Sequence, residues 1–235
     1  MENQCVSEYA YIKKNYIALK EELKEIADRT GVAVPTLVCV TKSGSDEELV
    51  ALAAAGALDI GENRPGEVKR RGELLRDAGF SPNMHEIGTL QRNKIKLIID
   101  SASLIHSVDS VKLAYDIDRL ARAAGRTVPV LIEVNSAKEE NKSGVAPEEC
   151  ERLLTEILPF ENIKVSGLMT MGPPLDDCEE LRKYFRLTKK MFDELGARYG
   201  FGDCPILSMG MSDSYRVAIE EGSTLVRVGR KLFTK

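Results

Sequence analysis

Apolar residues recur along this chain in two alternating rhythms. Between residues 8 and 28, Tyr9, Ile12, Tyr16, Leu19, Leu23 and Ile26 fall at steps of three and four, which places them on one face of an amphipathic helix. Thr30-Gly31 closes that helix, glycine suiting the left-handed turn past a helix end. Beyond it, short apolar runs ending in polar residues alternate with helical stretches. The runs Leu37–Lys42, Leu58–Glu62, Met84–Gly88, Leu104–Val108, Val130–Asn135, Val165–Met171, Ile206–Met211 and Thr224–Val228 predict eight strands. Helices are predicted over 46–55, 66–78, 91–100, 110–124, 147–158, 177–199 and 213–221. Ser45-Asp46-Glu47-Glu48 reads as a capping box, and Pro147 with Glu148 and Glu149 suits a first helical turn. Gly56, Gly79, Gly125 and Gly222 stand where helices should stop.

Nearly continuous apolar strands joined by helices imply a parallel sheet covered on both faces. Eight of them with no segment left over favour closure into a single (β/α)8 TIM barrel, preceded by an extra N-terminal helix. An open doubly wound sheet usually carries a G-x-G-x-x-G turn after its first strand, and none stands here. The 235 residues suit one such domain spanning 1–235. With 43% hydrophobic and 30% charged residues the composition is that of an ordinary globular domain. A net charge of −4, no tryptophan and 6% aromatic residues argue against a nucleic-acid partner. No apolar leader and no run long enough to span a bilayer stands out, so a cytoplasmic protein without a membrane partner is expected. Five scattered cysteines and two histidines lack metal-ligand spacing.

In a barrel of this class, functional residues gather at the C-terminal ends of the strands. Lys42 ends the first strand on the same face as Val38 and Val40. If that face is the interior, the amine needs an ion partner or a lowered pKa, and a desolvated lysine forms Schiff bases with carbonyl compounds. The plainer alternative is a lysine that reaches solvent from the strand end. Arg227, in an otherwise apolar last strand, must be paired or serve a ligand; a buried ion pair with Glu62 or Glu133 is the structural alternative. Gly229 lets backbone approach closely, as at phosphate sites. Ser212 precedes the helix expected near Asp213, where it can hold a phosphate, act as a plain N-cap, or both.

Together these segments resemble the pyridoxal 5′-phosphate (PLP) homeostasis protein family, single-barrel relatives of the N-terminal domain of alanine racemase. The resemblance runs in order over nearly the whole chain: Leu37-Val38-Cys39-Val40-Thr41-Lys42, Asp59-Ile60-Gly61-Glu62-Asn63, and His85-Glu86-Ile87-Gly88-Thr89-Leu90-Gln91-Arg92-Asn93-Lys94. It continues through Ile105-His106-Ser107-Val108-Asp109, Asn141-Lys142-Ser143-Gly144 and Gly167-Leu168-Met169-Thr170-Met171-Gly172. Leu207-Ser208-Met209-Gly210-Met211-Ser212-Asp213 and Glu221-Gly222-Ser223-Thr224-Leu225-Val226-Arg227-Val228-Gly229 complete it, and these last two motifs are specific. The resemblance implies a PLP-linked lysine at Lys42, Arg227 facing the pyridine nitrogen, Ser212, Gly229 and the following backbone on the phosphate, and Asn63 and Ser208 close to the cofactor. Met84, Arg64-Pro65-Gly66 and Arg230 depart from the family pattern. Arg230 replaces a small or hydroxyl residue and could pair with the phosphate directly.

A cation opposite the ring nitrogen disfavours its protonation, so the ring becomes a poorer electron sink. Racemisation in related barrels needs a second base, which alanine racemase draws from a further domain. The sequence stops at Lys235, after the eighth strand, and supplies no evident replacement beyond His85, which reads more simply as a structural histidine. The expectation is therefore a monomeric, non-enzymatic PLP carrier that buffers the cofactor and passes it to PLP-dependent apoenzymes. A PLP-dependent amino-acid racemase is the alternative.

Overall fold

The two rhythms become a ring of strands inside a ring of helices. The structure, a computed structural model, describes residues 8–139, 141–173, 175 and 177–235. Its strands are β1 (Thr36–Val40), β2 (Asp59–Glu62), β3 (Asn83–Glu86), β4 (Ala102–Val108), β5 (Val128–Glu133), β6 (Ile163–Met169), β7 (Ile206–Ser208) and β8 (Leu225–Val228). They form a closed parallel barrel in chain order. Closure is made by β1 against β8, in register from Thr36 opposite Leu225 to Cys39 opposite Val228. The helices are α1 (Ala10–Thr30), α2 (Asp46–Ala54), α3 (Pro65–Asp77), α4 (Val111–Ala123), α5 (Pro147–Ile157), α6 (Cys178–Tyr199), α7 (Tyr215–Glu220) and α8 (Arg230–Phe233).

Local chemistry sets the ends of these elements. Ser45 and Glu48 form the expected capping box at the start of α2. Gly56, Gly79, Gly125 and Gly222 all adopt positive φ just past their helices. The first strand stops at Val40, two residues before the expected end. There the Thr41 carbonyl turns to accept from Gly44 N at 2.9 Å and from the Arg71 guanidinium, instead of continuing the ladder. The helix expected over 91–100 is a 3-10 turn, Arg92–Leu97. A threefold turn brings Ile95 and Ile98 onto one buried face of so short a segment. The strand expected over 206–211 ends at Ser208, and Gly210 at φ +92° bends the chain beyond it. The four-residue α8, absent from the sequence reading, follows β8.

Two apolar shells result. The larger lies between strands and helices and includes the α1 residues Ile12, Tyr16, Leu19, Leu23 and Ile26. The smaller fills the barrel with Val38, Leu104, Leu131, Met169 and Leu225. Period-two alternation then places Val40, His106, Glu133, Met171 and Arg227 inward, one layer nearer the C-terminal mouth. Among the described residues no helix is long and apolar enough to cross a membrane.

Candidate functional site

That next inward layer is where the barrel stops being filled. A cavity of about 490 Å³ opens at the C-terminal mouth, lined among others by Val40, Lys42, Asn63, Glu133, Met171, Ser212, Arg227, Gly229 and Arg230. Six of the seven residues proposed from sequence are thus brought together: Lys42, Asn63, Ser212, Arg227, Gly229 and Arg230. Ser208 does not line the cavity. It is fully buried one layer below and accepts a hydrogen bond from Arg227 Nη1.

Lys42 is the one lysine among the lining residues and makes no hydrogen bond or ion pair among the described residues. Of the two readings of Lys42, the one that reaches solvent holds: the residue is exposed at the cavity rim. Its loop is held by a residue the sequence reading missed. Arg71 of α3 is buried and donates to the Thr41 carbonyl at 2.5 Å and to the Gly44 carbonyl at 2.8 Å, bracketing Lys42 on both sides. Its charge is balanced by Glu62 at 3.1 Å, which also accepts from the Thr41 hydroxyl at 2.5 Å. Burial pushes the Glu62 carboxyl up, and the Thr41 hydroxyl and Arg71 partly offset this. The only sequence signal for Arg71 is an arginine in the buried stripe Val68, Arg71, Gly72, Leu75.

Arg227 has no carboxylate partner at ion-pair distance among the described residues. The alternative pairing with Glu62 is ruled out by Arg71, and Glu133 acts on Arg227 only through its field. Burial lowers the guanidinium pKa to about 10, against the opposing pull of Glu133. Of the five N–H donors of a guanidinium, one goes to Ser208 Oγ and one to the Thr170 carbonyl at 3.0 Å. The others remain, on a side chain that lines the cavity. Glu133 faces the same space; burial raises its pKa, and the Ser143 hydroxyl, donating to Oε1 at 2.7 Å, only partly offsets this.

Across the mouth, the Ser212 hydroxyl accepts from Gly229 N at 3.3 Å, joining the β7 and β8 loops. Ser212 is not the N-cap of α7: that position is Ser214, which makes no side-chain cap hydrogen bond and whose hydroxyl accepts from Met211 N at 3.1 Å. Arg230 is exposed and ion-paired with Asp213. His85 is buried away from the cavity, between His106 and Asp59.

An unpaired lysine, a guanidinium with further donors and a hydroxyl–backbone contact thus share one cavity at the C-terminal mouth of a parallel barrel. Residues 15–234 match the family described as alanine racemase, N-terminal domain, and the chain is a barrel of that class. Relatives named pyridoxal phosphate homeostasis protein align over most of its length. The one from Aquifex aeolicus is 39% identical over 91% of this chain and 93% of its own. The one from Helicobacter pylori is 37% identical over 84% of this chain and 86% of its own. The chain belongs to the pyridoxal phosphate homeostasis protein family. Among solved structures, PipY of Synechococcus elongatus with PLP bound has a TM-score of 0.81 at 28% identity, covering 95% of this chain and 100% of that one. Alanine racemase of Clostridium difficile, in complex with cycloserine, shares the fold at a TM-score of 0.70 and 19% identity, covering 91% of this chain and 58% of that one.

Proposed function

We propose that this protein holds PLP through a covalent link to Lys42 Nζ and serves as a cellular reservoir and donor of the cofactor. The observation that carries the reading is the meeting of an unpaired Lys42 with the free donors of Arg227 in one cavity. The names of the relatives and the PLP bound to PipY support it. When bound, PLP supplies an aldehyde that condenses reversibly with amines. Arg71 holds the Lys42 loop. Arg227, a donor that keeps its proton, would face the pyridine nitrogen and disfavour its protonation. Ser212, Gly229 and Arg230 would hold the phosphate, Arg230 exchanging its Asp213 partner for it. Asn63 lies on the wall beside them.

A carrier needs nothing further, whereas a racemase needs a second base across the substrate. His85, the candidate from sequence, is sequestered beneath the cavity. Carriage therefore outranks turnover, with PLP-dependent apoenzymes as recipients. The test is an absorbance spectrum of the purified protein before and after borohydride, followed by peptide mapping. A yellow protein near 1:1 occupancy, bleached by reduction and carrying its label on Lys42, is the expected result. Lys42→Ala should fold and remain colourless. A label on another residue overturns the site, and loss of optical purity of an amino acid well above the rate with free PLP overturns the carrier role.

A further inference from the structure

Beneath the cavity, polar side chains cross the barrel in single file. Arg227 Nη1 donates to Ser208 Oγ. Ser208 Oγ lies 3.0 Å from His106 Nδ1, and His106 Nε2 lies 3.0 Å from His85 Nδ1. His85 Nε2 lies 3.3 Å from Asp59 Oδ1. Ser208 and His106 are fully buried and His85 nearly so. Asp59 opens β2, so the file runs from the cavity towards the opposite mouth of the barrel.

The two ends dictate the direction of every bond between them. A guanidinium only donates and a carboxylate only accepts. Burial pushes Asp59 up, but hydrogen bonds from His85 and Asn83 outweigh it and keep the carboxyl below its ordinary value. A single proton on His85 therefore sits on Nε2, and Nδ1 accepts. That acceptor requires a proton on His106 Nε2, which leaves His106 Nδ1 to accept from the Ser208 hydroxyl. Ser208 in turn accepts from Arg227. Each intermediate then gives one hydrogen bond and takes one. Burial, reinforced by the nearby His85 and Arg227, holds His106 well below the usual histidine range.

We propose that Ser208, His106, His85 and Asp59 form a one-way hydrogen-bond relay that positions Arg227, selects which of its N–H groups face the cavity, and ties that choice to a carboxylate near the far mouth. The relay rests on the PLP reading only for its effect on the ring; the relay itself exists without cofactor. All four are then positioning residues. Asp59→Asn is the informative change. It is isosteric and one-third exposed, and an amide can give as well as take, so the direction is no longer imposed.

The sequence contains two histidines, so a long-range proton–nitrogen NMR spectrum of the PLP-free protein at neutral pH reads both rings directly. The expected pattern is two neutral rings, each protonated on Nε2. In Asp59→Asn, the nitrogens of His106 and the guanidinium signals of Arg227 should shift as well as those of His85, although neither His106 nor Arg227 touches residue 59. Ser208→Thr should keep the wild-type pattern and Ser208→Ala should lose it at His106. A charged or Nδ1-protonated ring in the wild type overturns the relay, as does an Asp59→Asn spectrum in which only His85 moves. A protein that shows the expected pattern yet takes up no PLP supports the relay and refutes the proposed function instead.

Discussion

Arg71→Met isolates the support beneath Lys42. Methionine preserves the length of the aliphatic stem but removes the cation that neutralises Glu62 and the donors that hold the Thr41 and Gly44 carbonyls. Breaking a buried ion pair by deleting one partner costs about 3–5 kcal/mol, because the other charge is stranded. In a protein of this size about 1 kcal/mol moves the melting temperature by roughly 2–4 °C. The expected fall is therefore about 6–20 °C, read by circular dichroism on the PLP-free protein. The double variant Arg71→Met/Glu62→Gln should recover much of it, since no charge is then stranded. Both variants should be slow to take up PLP, because the Lys42 loop has lost its brackets in each. A melting temperature close to wild type in the single variant, or no recovery in the double, would show that Arg71 does not anchor this loop.

Glu86 is fully buried, its Oε2 has no hydrogen-bond partner among the described residues, and burial lifts its pKa to about 8 from an ordinary 4.5, opposed by a hydrogen bond from Gly88 N. Between those values the native state binds more protons than the unfolded state, so stability should fall as pH rises through that window, by up to about 1.4 kcal/mol per pH unit. Glu86→Gln should flatten the profile, and an unaltered pH dependence in that variant would remove Glu86 as its cause. Gly167 sits at φ +145° with the position of a Cβ only 1.9 Å from the Ile206 carbonyl oxygen. Gly167→Ala should therefore cost at least about 3 kcal/mol in denaturant unfolding; wild-type stability would contradict the close β6–β7 approach. Arg227→Met should weaken PLP retention about 10–100-fold by equilibrium dialysis, the worth of a hydrogen bond to a charged donor, and unchanged retention would remove Arg227 from the site.

The barrel was legible because its apolar runs recur eight times, and Lys42, Asn63, Arg227 and Gly229 fall on the interior period of β1, β2 and β8; β4 and β6 carry register irregularities that break it. What the sequence concealed depends on partners far along the chain. Arg71 resembles any arginine whose stem lies against a helix face until the Thr41 and Gly44 carbonyls are seen to converge on it. His85 and His106 stand on adjacent strands, and only the register that sets His85 beside Leu104 brings the rings into contact. Ser208 shares its motif with Ser212, yet the turn at Gly210 sends one beneath Arg227 and leaves the other at the rim. The exposure of Lys42 follows from the early end of β1, which hydrophobic patterning does not encode because the cause is a pair of carbonyl contacts.

The outer ring is completed by α1, which packs against α7 and α8 and whose Asn15 donates to the Leu232 and Thr234 carbonyls at 3.2 and 2.8 Å. The first helix thus finds its seat only when residues beyond 230 have been made, and β1 meets its second neighbour only in β8. During synthesis the nascent chain must carry an unsealed sheet edge, with part of the apolar stripe of α1 uncovered, until β8 and α8 have emerged. Closure that joins the first and last elements is a long-range contact of the kind that slows folding.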